Sequence, residues 1–199
     1  MGDRFFKRAF IPWLAVQWEG ADNAGSAVQP ESSFAMPPSS PYQAIVSHAE
    51  FSLGITTRQD EITGIDYLPK RAALAPQNLL AAEAVRQITA YFADPGFAFG
   101  LPLQAQGTSF QRRVWQAISE IPCGKVETYG AVAKKIYSAA RAVGGACGAN
   151  PFPLVVPCHR VVSASGLGGF GGVGGDHASV DFLLNVKRWL LRHEGLILP

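Results

Sequence analysis

The chain has 199 residues, of which 48% are hydrophobic, and its formal net charge is +2. This composition is sufficient for one large or two small globular units and excludes a disordered tail. The charge is uneven, because residues 1–104 hold seven Lys and Arg against ten Asp and Glu, whereas residues 105–199 hold ten against five. The C-terminal half therefore suits a polyanionic partner, although such an excess also occurs on ordinary solvated surfaces.

The three cysteines, Cys123, Cys147 and Cys158, are an odd number and define no closed disulfide framework. We therefore expect a reducing, cytoplasmic compartment. Their spacing does not match a structural zinc site, so we predict no metal. The apolar run that follows Arg8 is short and is broken by Pro12, which argues against an export signal, and no stretch approaches the length of a membrane span.

Residues 1–40 are predicted to be a flexible lead-in, because Gly20 to Pro41 is rich in Gly, Ala, Ser, Asn and Pro without a hydrophobic period. Three β-branched and aromatic runs follow, and they predict an antiparallel three-stranded meander: Tyr42 to Ser47, Phe51 to Thr57, and Ile62 to Leu68. A helix from Pro76 to Ala93 comes next, with its predicted inner face formed by Ala81, Val85, Ile88 and Phe92. Residues 41–104 are thus predicted to form a small α/β domain.

Residues 105–199 are predicted to form a second, mainly helical domain. Helical spacing of apolar residues extends from Phe110 to Ile118, and Thr128 is a predicted N-cap for a helix through Ile136. A very short turn at Tyr137-Ser138 leads into a helix from Ala139 to Ala149, and two short helices across a tight turn predict a helix-turn-helix. A final amphipathic helix extends from Val180 to Glu194 and is closed by Gly195.

A cysteine and a histidine are adjacent in the run Val155-Val156-Pro157-Cys158-His159-Arg160-Val161. A thiol of ordinary pKa is mostly neutral at pH 7, so a nucleophilic cysteine needs a neighbouring imidazole or cation, and His159 and Arg160 are both within local reach. Lowering the pKa of Cys158 by about two units would correspond to about 2.7 kcal/mol in favour of the thiolate. Taken singly, Cys158 is as readily a small buried hydrophobe and His159 a satisfied core histidine.

From Gly107 to Gly195 the chain resembles the O6-alkylguanine-DNA alkyltransferases, also called methylated-DNA–protein-cysteine methyltransferases. The stretches that match in order are Gly107-Thr108-Ser109-Phe110-Gln111, Val114-Trp115, Ile121-Pro122, Thr128-Tyr129, Arg141-Ala142-Val143-Gly144, Asn150-Pro151, Pro157-Cys158-His159-Arg160-Val161 and Leu190-Leu191-Arg192-His193-Glu194-Gly195. The first half of the chain matches only in its order of strands and helix.

The resemblance implies an α+β fold, in which a ribonuclease-H-like α/β domain over 41–104 precedes a winged helix-turn-helix-like domain over 105–199 that carries the active cysteine. It implies direct-reversal DNA repair, with a single transfer of an alkyl group from O6-alkylguanine, and from O4-alkylthymine, to the protein. The implied partner is double-stranded DNA containing O6-alkylguanine. No cofactor, no membrane association and a monomeric state are expected.

By the same resemblance Cys158 is the alkyl acceptor, His159 is its base through a bridging water, and Glu194 orients the imidazole. Tyr129 matches the tyrosine whose phenol donates to the departing base; otherwise it is a half-buried aromatic in a helix's first turn. Glu194 taken alone would be an exposed carboxylate, but a negative charge is unfavourable at a helix C-terminus, which indicates a separate partner.

The helix Ala139-Ala140-Arg141-Ala142-Val143-Gly144-Gly145-Ala146 is matched to the base-flipping element of the family. Extruding a nucleotide costs a few kcal/mol, and Arg141 matches the arginine that fills the vacated stack. The small residues Ala140, Gly144 and Gly145 suit close approach to a narrow groove, although the same pattern fits a close helix–helix contact.

The resemblance also places residues around the base. Asn150 is expected to tie the recognition helix to the active-site turn, and the carbonyls of Cys158 and Val161 to hold the guanine amino group. The expected pocket residues are Asn150, Pro153, Val161, Phe170 and Cys147, with Cys147 as lining and not as nucleophile. Cys123 receives no role.

Two segments depart from the family pattern. The stretch between Tyr129 and Arg141 is about two residues shorter than usual and lacks the customary glycine and proline. The loop from Leu167 to Gly172 is also shorter, and Val173 to Asp181 is an insertion.

Three other functions remain open or are disfavoured on the sequence. A binding-only alkylguanine sensor would bind the lesion without transfer. A cysteine hydrolase would use the same thiol and imidazole with multiple turnovers and without DNA. A methylation-sensing transcription activator is disfavoured, because the first half contains no cysteines for a metal-thiolate sensor.

Overall fold

The computed structural model describes residues 40–169 and 179–197. The predicted meander is confirmed: strands β1 (Ala44–Ser47), β2 (Phe51–Arg58) and β3 (Glu61–Pro69) form an antiparallel sheet in that order. Ala44 pairs with Ile55 in β2, and Ile55 pairs with Ile65 in β3. The predicted lead-in, apart from Ser40, lies outside the described residues.

Helix α1 (Leu79–Ala93) packs against this sheet and begins three residues later than predicted. The reason is Asn78, whose side chain accepts a hydrogen bond from the Ala81 amide and so caps the helix. The predicted inner face is also rotated: Ala84 and Tyr91 are buried, whereas Val85 and Phe92 are only partly buried. This rotation turns the Tyr91 side chain into the core.

The helix-turn-helix is formed by α3 (Tyr129–Lys135) and α4 (Ala140–Gly148), which follow helix α2 (Ser109–Ser119). Thr128 caps α3 as predicted, by accepting from the Ala131 amide at 3.1 Å. The connecting turn closes without glycine because Tyr137 adopts a left-handed conformation with φ 53°. The indole of Trp115 in α2 donates to the Ala146 carbonyl at 2.8 Å and so attaches α4 to α2.

Two short parallel strands, β4 (Glu127–Thr128) and β5 (Val161–Val162), position the functional residues. They bring the start of α3 next to the single 3₁₀ turn at Cys158–Arg160. Helix α5 (Val180–His193) packs on that turn, and Gly195 follows it with φ 81° as the predicted cap.

The loop that leads to Cys158 is attached to the sheet. The Ile65 amide of β3 donates to the Pro151 carbonyl at 2.9 Å. Buried side chains from both predicted domains belong to one hydrophobic cluster, and the predicted boundary near residue 104 stays a prediction. No helix in 40–169 or 179–197 combines the length and apolar character needed to cross a bilayer.

Candidate active site around Cys158

Cys158 lies at the start of the 3₁₀ turn, and only 6% of its surface is exposed. Burial raises the pKa of its thiol, while a hydrogen bond from Asn150 and the charge of Lys187 act in the opposite direction. The structure therefore opposes the expectation that the pKa of Cys158 is lowered, because burial of the sulfur disfavours its charged form.

His159 and Glu194 are in direct contact at the centre of the protein. His159 Nε2 lies 2.8 Å from Glu194 Oε1, and both side chains are fully buried. A carboxylate can only accept, so Nε2 carries the hydrogen and Nδ1 keeps its lone pair. Nδ1 is buried and has no hydrogen-bond partner among the described residues. The imidazole therefore has one free basic atom.

Opposing effects set the protonation of this pair. Burial lowers the pKa of His159, although Glu194 acts against it. Burial alone would raise the pKa of Glu194, but hydrogen bonds from His159 and Arg160 outweigh it and hold that pKa well below its usual range. The site thus holds a neutral imidazole against an ionised carboxylate.

Arg160 does not face the thiol, which corrects the expectation of local help from this cation. Its Nε and Nη2 donate to the two oxygens of Glu194 at 2.9 Å, and its Nη1 donates to the Ile121 carbonyl at 2.7 Å. A cation beside a carboxylate at a helix end compensates the unfavourable interaction with the helix dipole. Arg160 is therefore the separate partner that the position of Glu194 indicated.

Lys187 is a cation whose charge acts on the Cys158 sulfur, and no local pattern in the sequence marks it. Its side chain is fully buried, and Nζ donates to the Val161 carbonyl at 2.6 Å and to the Gly169 carbonyl at 2.9 Å. Burial lowers the pKa of Lys187 to about 8, while Cys158 and Cys147 oppose that shift. A cationic form at neutral pH follows, and it favours negative charge on the sulfur.

Asn150 joins the end of α4 to the active-site loop. Its Nδ2 donates to the Val156 carbonyl at 2.9 Å, and its Oδ1 accepts from the Phe152 amide at 3.0 Å. The contact that the resemblance predicts between the helix and the active-site turn is therefore present. Leu154, inside this loop, is buried with φ 76°, a rare conformation for a branched residue.

Tyr129 is the first residue of α3 and interacts electrostatically with Cys158. Its hydroxyl donates to the Gly169 carbonyl at 2.9 Å, and burial raises the pKa of its phenol, so it remains a donor. Gly168, with φ 69°, lies so close that an added Cβ would stand 3.1 Å from the tyrosine ring. Glycine is required at Gly168 for both reasons.

The remaining predicted residues fall into two groups. On α4, Ala140, Arg141 and Gly145 are exposed and Gly144 is partly exposed, so this face is open to solvent. Of the expected pocket residues, Cys147 is buried with a pKa raised to about 12 by burial, Val161 is fully buried and Pro153 is partly buried. Phe170 and residues 173–178 of the predicted insertion lie outside the described residues.

These features define a helix-turn-helix protein with a buried cysteine that precedes, in the chain, the histidine of an internal His-Glu pair. A family model described as the DNA binding domain of 6-O-methylguanine DNA methyltransferase matches residues 109–196. The chain belongs to this family.

Individual relatives agree with this assignment. The chain is 49% identical over 109 residues to the methylated-DNA–protein-cysteine methyltransferase of Mycobacterium leprae, a match covering 53% of this chain and 66% of that relative, just under two thirds of its length. The enzyme of the same name from Methanosarcina acetivorans is 44% identical over 116 residues, covering 57% of this chain and 68% of the relative.

Solved structures extend the likeness into the first half of the chain. The crystal structure of Mycobacterium tuberculosis O6-methylguanine methyltransferase superposes with a TM-score of 0.61 at 36% identity, covering 75% of this chain and 90% of that one. The structure titled as the same organism's OGT in complex with DNA gives a TM-score of 0.59 at 35% identity, covering 75% and 90%. The mixed α/β architecture is therefore that of its relatives.

Proposed function

We propose that this protein repairs DNA by moving an alkyl group from guanine O6 in duplex DNA to its own Cys158, once per molecule. The observation that carries the proposal is the buried contact between His159 Nε2 and Glu194 Oε1, which leaves Nδ1 as an unpaired base on the residue that follows the buried Cys158 in the chain. The names of its relatives support the same reaction.

The step consists of one displacement at carbon. Sγ of Cys158 forms a bond to the alkyl carbon while the bond from that carbon to O6 breaks. The thiol proton moves to Nδ1 of His159 through a water, and Glu194 stabilises the imidazolium that forms. The guanine leaves as an anion and takes a proton from the Tyr129 hydroxyl, and the imidazolium returns its proton through water to the Tyr129 oxygen, so His159 and Tyr129 end neutral and the charges balance. Ionisation is thus coupled to attack and does not precede it, because burial disfavours a resting thiolate.

Tyr129 and Lys187 are proposed to stabilise the charges that develop. When guanine enters, the Tyr129 hydroxyl gives up its hydrogen bond to the Gly169 carbonyl and donates to the guanine base instead. The Gly169 carbonyl keeps Lys187 as a donor, so no buried acceptor is left unpaired. The positive charge of Lys187 stabilises the negative charge that develops on Sγ of Cys158 as the thiol proton leaves, and this favours the transition state.

The lesion is proposed to reach Cys158 by extrusion from the duplex. Helix α4 presents an open face of small residues with Arg141 at its start, and Asn150 connects the end of that helix to the active-site loop. Small residues allow the helix to approach the minor groove closely, and Arg141 then fills the space of the flipped base. Pro153 and Cys147 line the alkyl pocket, and Phe170 is proposed to complete it.

The test is incubation with duplex DNA that bears O6-methylguanine, followed by mass spectrometry of the peptide containing Cys158. We expect a gain of one methyl group, restored guanine, and one event per protein molecule. Cys158→Ala should abolish transfer, whereas Cys147→Ala should retain it. An unmodified Cys158 with unrepaired DNA contradicts the proposal, and tight lesion binding without transfer would instead indicate a damage sensor.

A further inference from the structure

The carboxylate of Glu194 receives a hydrogen bond from the N-terminal half of the chain. The Tyr91 hydroxyl, in α1, donates to Oε1 at 2.9 Å, and this oxygen is the one that accepts from His159 Nε2 at 2.8 Å. Tyr91 is 1% exposed and lies 103 positions before Glu194. The contact is therefore a fixed part of the core.

A second bond keeps the two helices in register at this point. His193 Nε2 donates to the Tyr91 carbonyl at 2.8 Å, and the two rings meet edge to face at 5.2 Å between centroids. Backbone and side chain of Tyr91 are thus both held by the C-terminal end of α5. Because both its backbone and its side chain are held, the Tyr91 hydroxyl has a fixed position relative to Glu194.

We propose that Tyr91 is a positioning residue of the alkyl-transfer site, whose hydroxyl holds Oε1 of Glu194 against His159 and limits how firmly the carboxylate retains a proton on the imidazole. The kinetic part of this inference rests on the proposed function. The electrostatic part does not, because it concerns only the protonation of His159.

The direction in which Tyr91 changes the pKa of His159 follows from the number of donors that share the negative charge on Glu194 Oε1. This oxygen accepts from Tyr91, His159 and Arg160. Burial, and then the charge of Glu194, raise the pKa of Tyr91, so the phenol stays a donor. Removing that donor concentrates negative charge toward the imidazole and stabilises its charged form. The pKa of His159 therefore rises when the hydroxyl is deleted.

Other charged and titratable groups face the pair and would stay in place. Arg160 and Lys187 both act to lower the pKa of His159. Further groups coupled to the site are the thiols of Cys158 and Cys123 and the phenol of Tyr67. These groups are unchanged in a variant that lacks only the Tyr91 hydroxyl. Such a variant therefore isolates the contribution of that hydroxyl to the pKa of His159.

The experiment compares Tyr91→Phe with the wild type in two measurements. The first is the rate of methyl transfer from duplex DNA between pH 5 and pH 9. We expect a loss of about five- to tenfold on the plateau, the factor of one ordinary hydrogen bond, and an acid limb that moves to higher pH. The second is an NMR titration of the His159 imidazole, whose pKa should also move upward.

Tyr42→Phe is the matched control. The Tyr42 hydroxyl also bonds a carboxylate, that of Asp66, in the same half of the chain and away from His159. This variant loses a comparable contact, but its acid limb and His159 titration should match those of the wild type. Thermal unfolding of both variants checks that each is folded.

An unchanged or lowered His159 titration in Tyr91→Phe would overturn the inference. If the wild type itself transfers no methyl group, the proposed function fails, but the titration still tests Tyr91. If transfer occurs and Tyr91→Phe keeps the wild-type profile, only the role of Tyr91 fails. The two failures are therefore distinguishable.

Discussion

The carboxylate of Glu194 accepts hydrogen bonds from three separate parts of the chain. Tyr91 comes from α1, the Gly124 amide from the turn after α2 at 3.3 Å, and His159 with Arg160 from the 3₁₀ turn. These donors satisfy a buried charge that would otherwise be costly. The orientation of the His159 imidazole thus depends on the Glu194 carboxylate and on the donors that hold this carboxylate in place.

Glu194→Gln is expected to weaken both stability and transfer. The amide keeps the size of the side chain but cannot neutralise Arg160, and breaking a buried ion pair costs about 3 kcal/mol or more. Transfer should fall at least about 100-fold, because the imidazolium loses its counter-charge. Urea unfolding and single-turnover methyl transfer measure the two effects.

Glu83→Gln is the control for that variant. Glu83 pairs with Arg86 on the surface of α1, where its side chain is 41% exposed. Exposed ion pairs contribute little, so both quantities should stay close to the wild type. Equal effects of the two substitutions would contradict the central role given to Glu194.

Helix α4 combines two properties that normally oppose each other. Gly145 weakens the helix, since glycine is about 1 kcal/mol less favourable than alanine in a helix interior. The position is nevertheless open, because an added Cβ at Gly145 would meet no atom within 4 Å. Packing inside the protein therefore does not explain this glycine, and the proposed close approach of α4 to a DNA groove would explain it.

Gly145→Leu is accordingly expected to stabilise the fold and impair repair. The unfolding midpoint should rise or stay level, and transfer from duplex DNA should fall by at least about tenfold because bulk on this face blocks the minor groove. Reaction with the free base O6-benzylguanine, which needs no groove, should keep its rate. The comparison uses unfolding curves and both transfer assays.

Ala82→Leu serves as the control, since Ala82 is exposed on α1, outside the helix-turn-helix. Normal duplex repair by Ala82→Leu and poor repair by Gly145→Leu would support the assignment of the α4 face. Normal repair by both variants would refute it.

Element boundaries and faces were predictable where local chemistry decides them. Thr128 caps α3 as the sequence indicates, and Gly195 ends α5. The start of α1 was missed, because Pro76 is a typical first-turn residue while the actual cap is the Asn78 side chain. The turn at Tyr137 was also not predictable in detail, since a tyrosine rarely adopts φ 53°.

The candidate site was only partly predictable, because several of its contacts join residues that are far apart in the sequence. The Cys158, His159 and Glu194 set was identified from its resemblance to a family, not from geometry. Lys187 and Tyr91 carry no local pattern that marks them, because their contacts depend on how α5 and α1 pack on the 3₁₀ turn. Desolvation, which reverses the expected direction of the Cys158 pKa, is likewise a property of the folded molecule.

The stability of the whole molecule should depend on pH in a defined direction. Burial lowers the pKa of His159, so below about pH 6.5 the unfolded chain binds a proton that the folded chain does not. The free energy of unfolding then falls on acidification by about 1.4 kcal/mol per pH unit for this group. Below about pH 4.5 Glu194 adds a further loss, since its pKa in the fold is also depressed.

Urea unfolding between pH 4 and pH 8 measures this dependence. Burial also lowers the pKa of His48, which packs between the rings of Phe51, Phe92 and Trp189. His48→Phe keeps those ring contacts and removes the protonation of His48. The slope of the free energy of unfolding against pH in this variant then reports the protonation of His159. A flat profile between pH 5 and pH 7 in this variant would contradict the assigned protonation states.

The convergence of α1, the Gly124 turn and the 3₁₀ turn on Glu194 has a consequence for an acceptor that is proposed to react only once. In a partly folded polypeptide the Cys158 thiol is open to water, so it ionises and reacts with stray electrophiles like any ordinary thiol. In the folded chain the same sulfur is buried and its pKa is raised, so such wasteful modification is suppressed. Completion of the fold therefore shields the acceptor in the same step that assembles the imidazole–carboxylate pair.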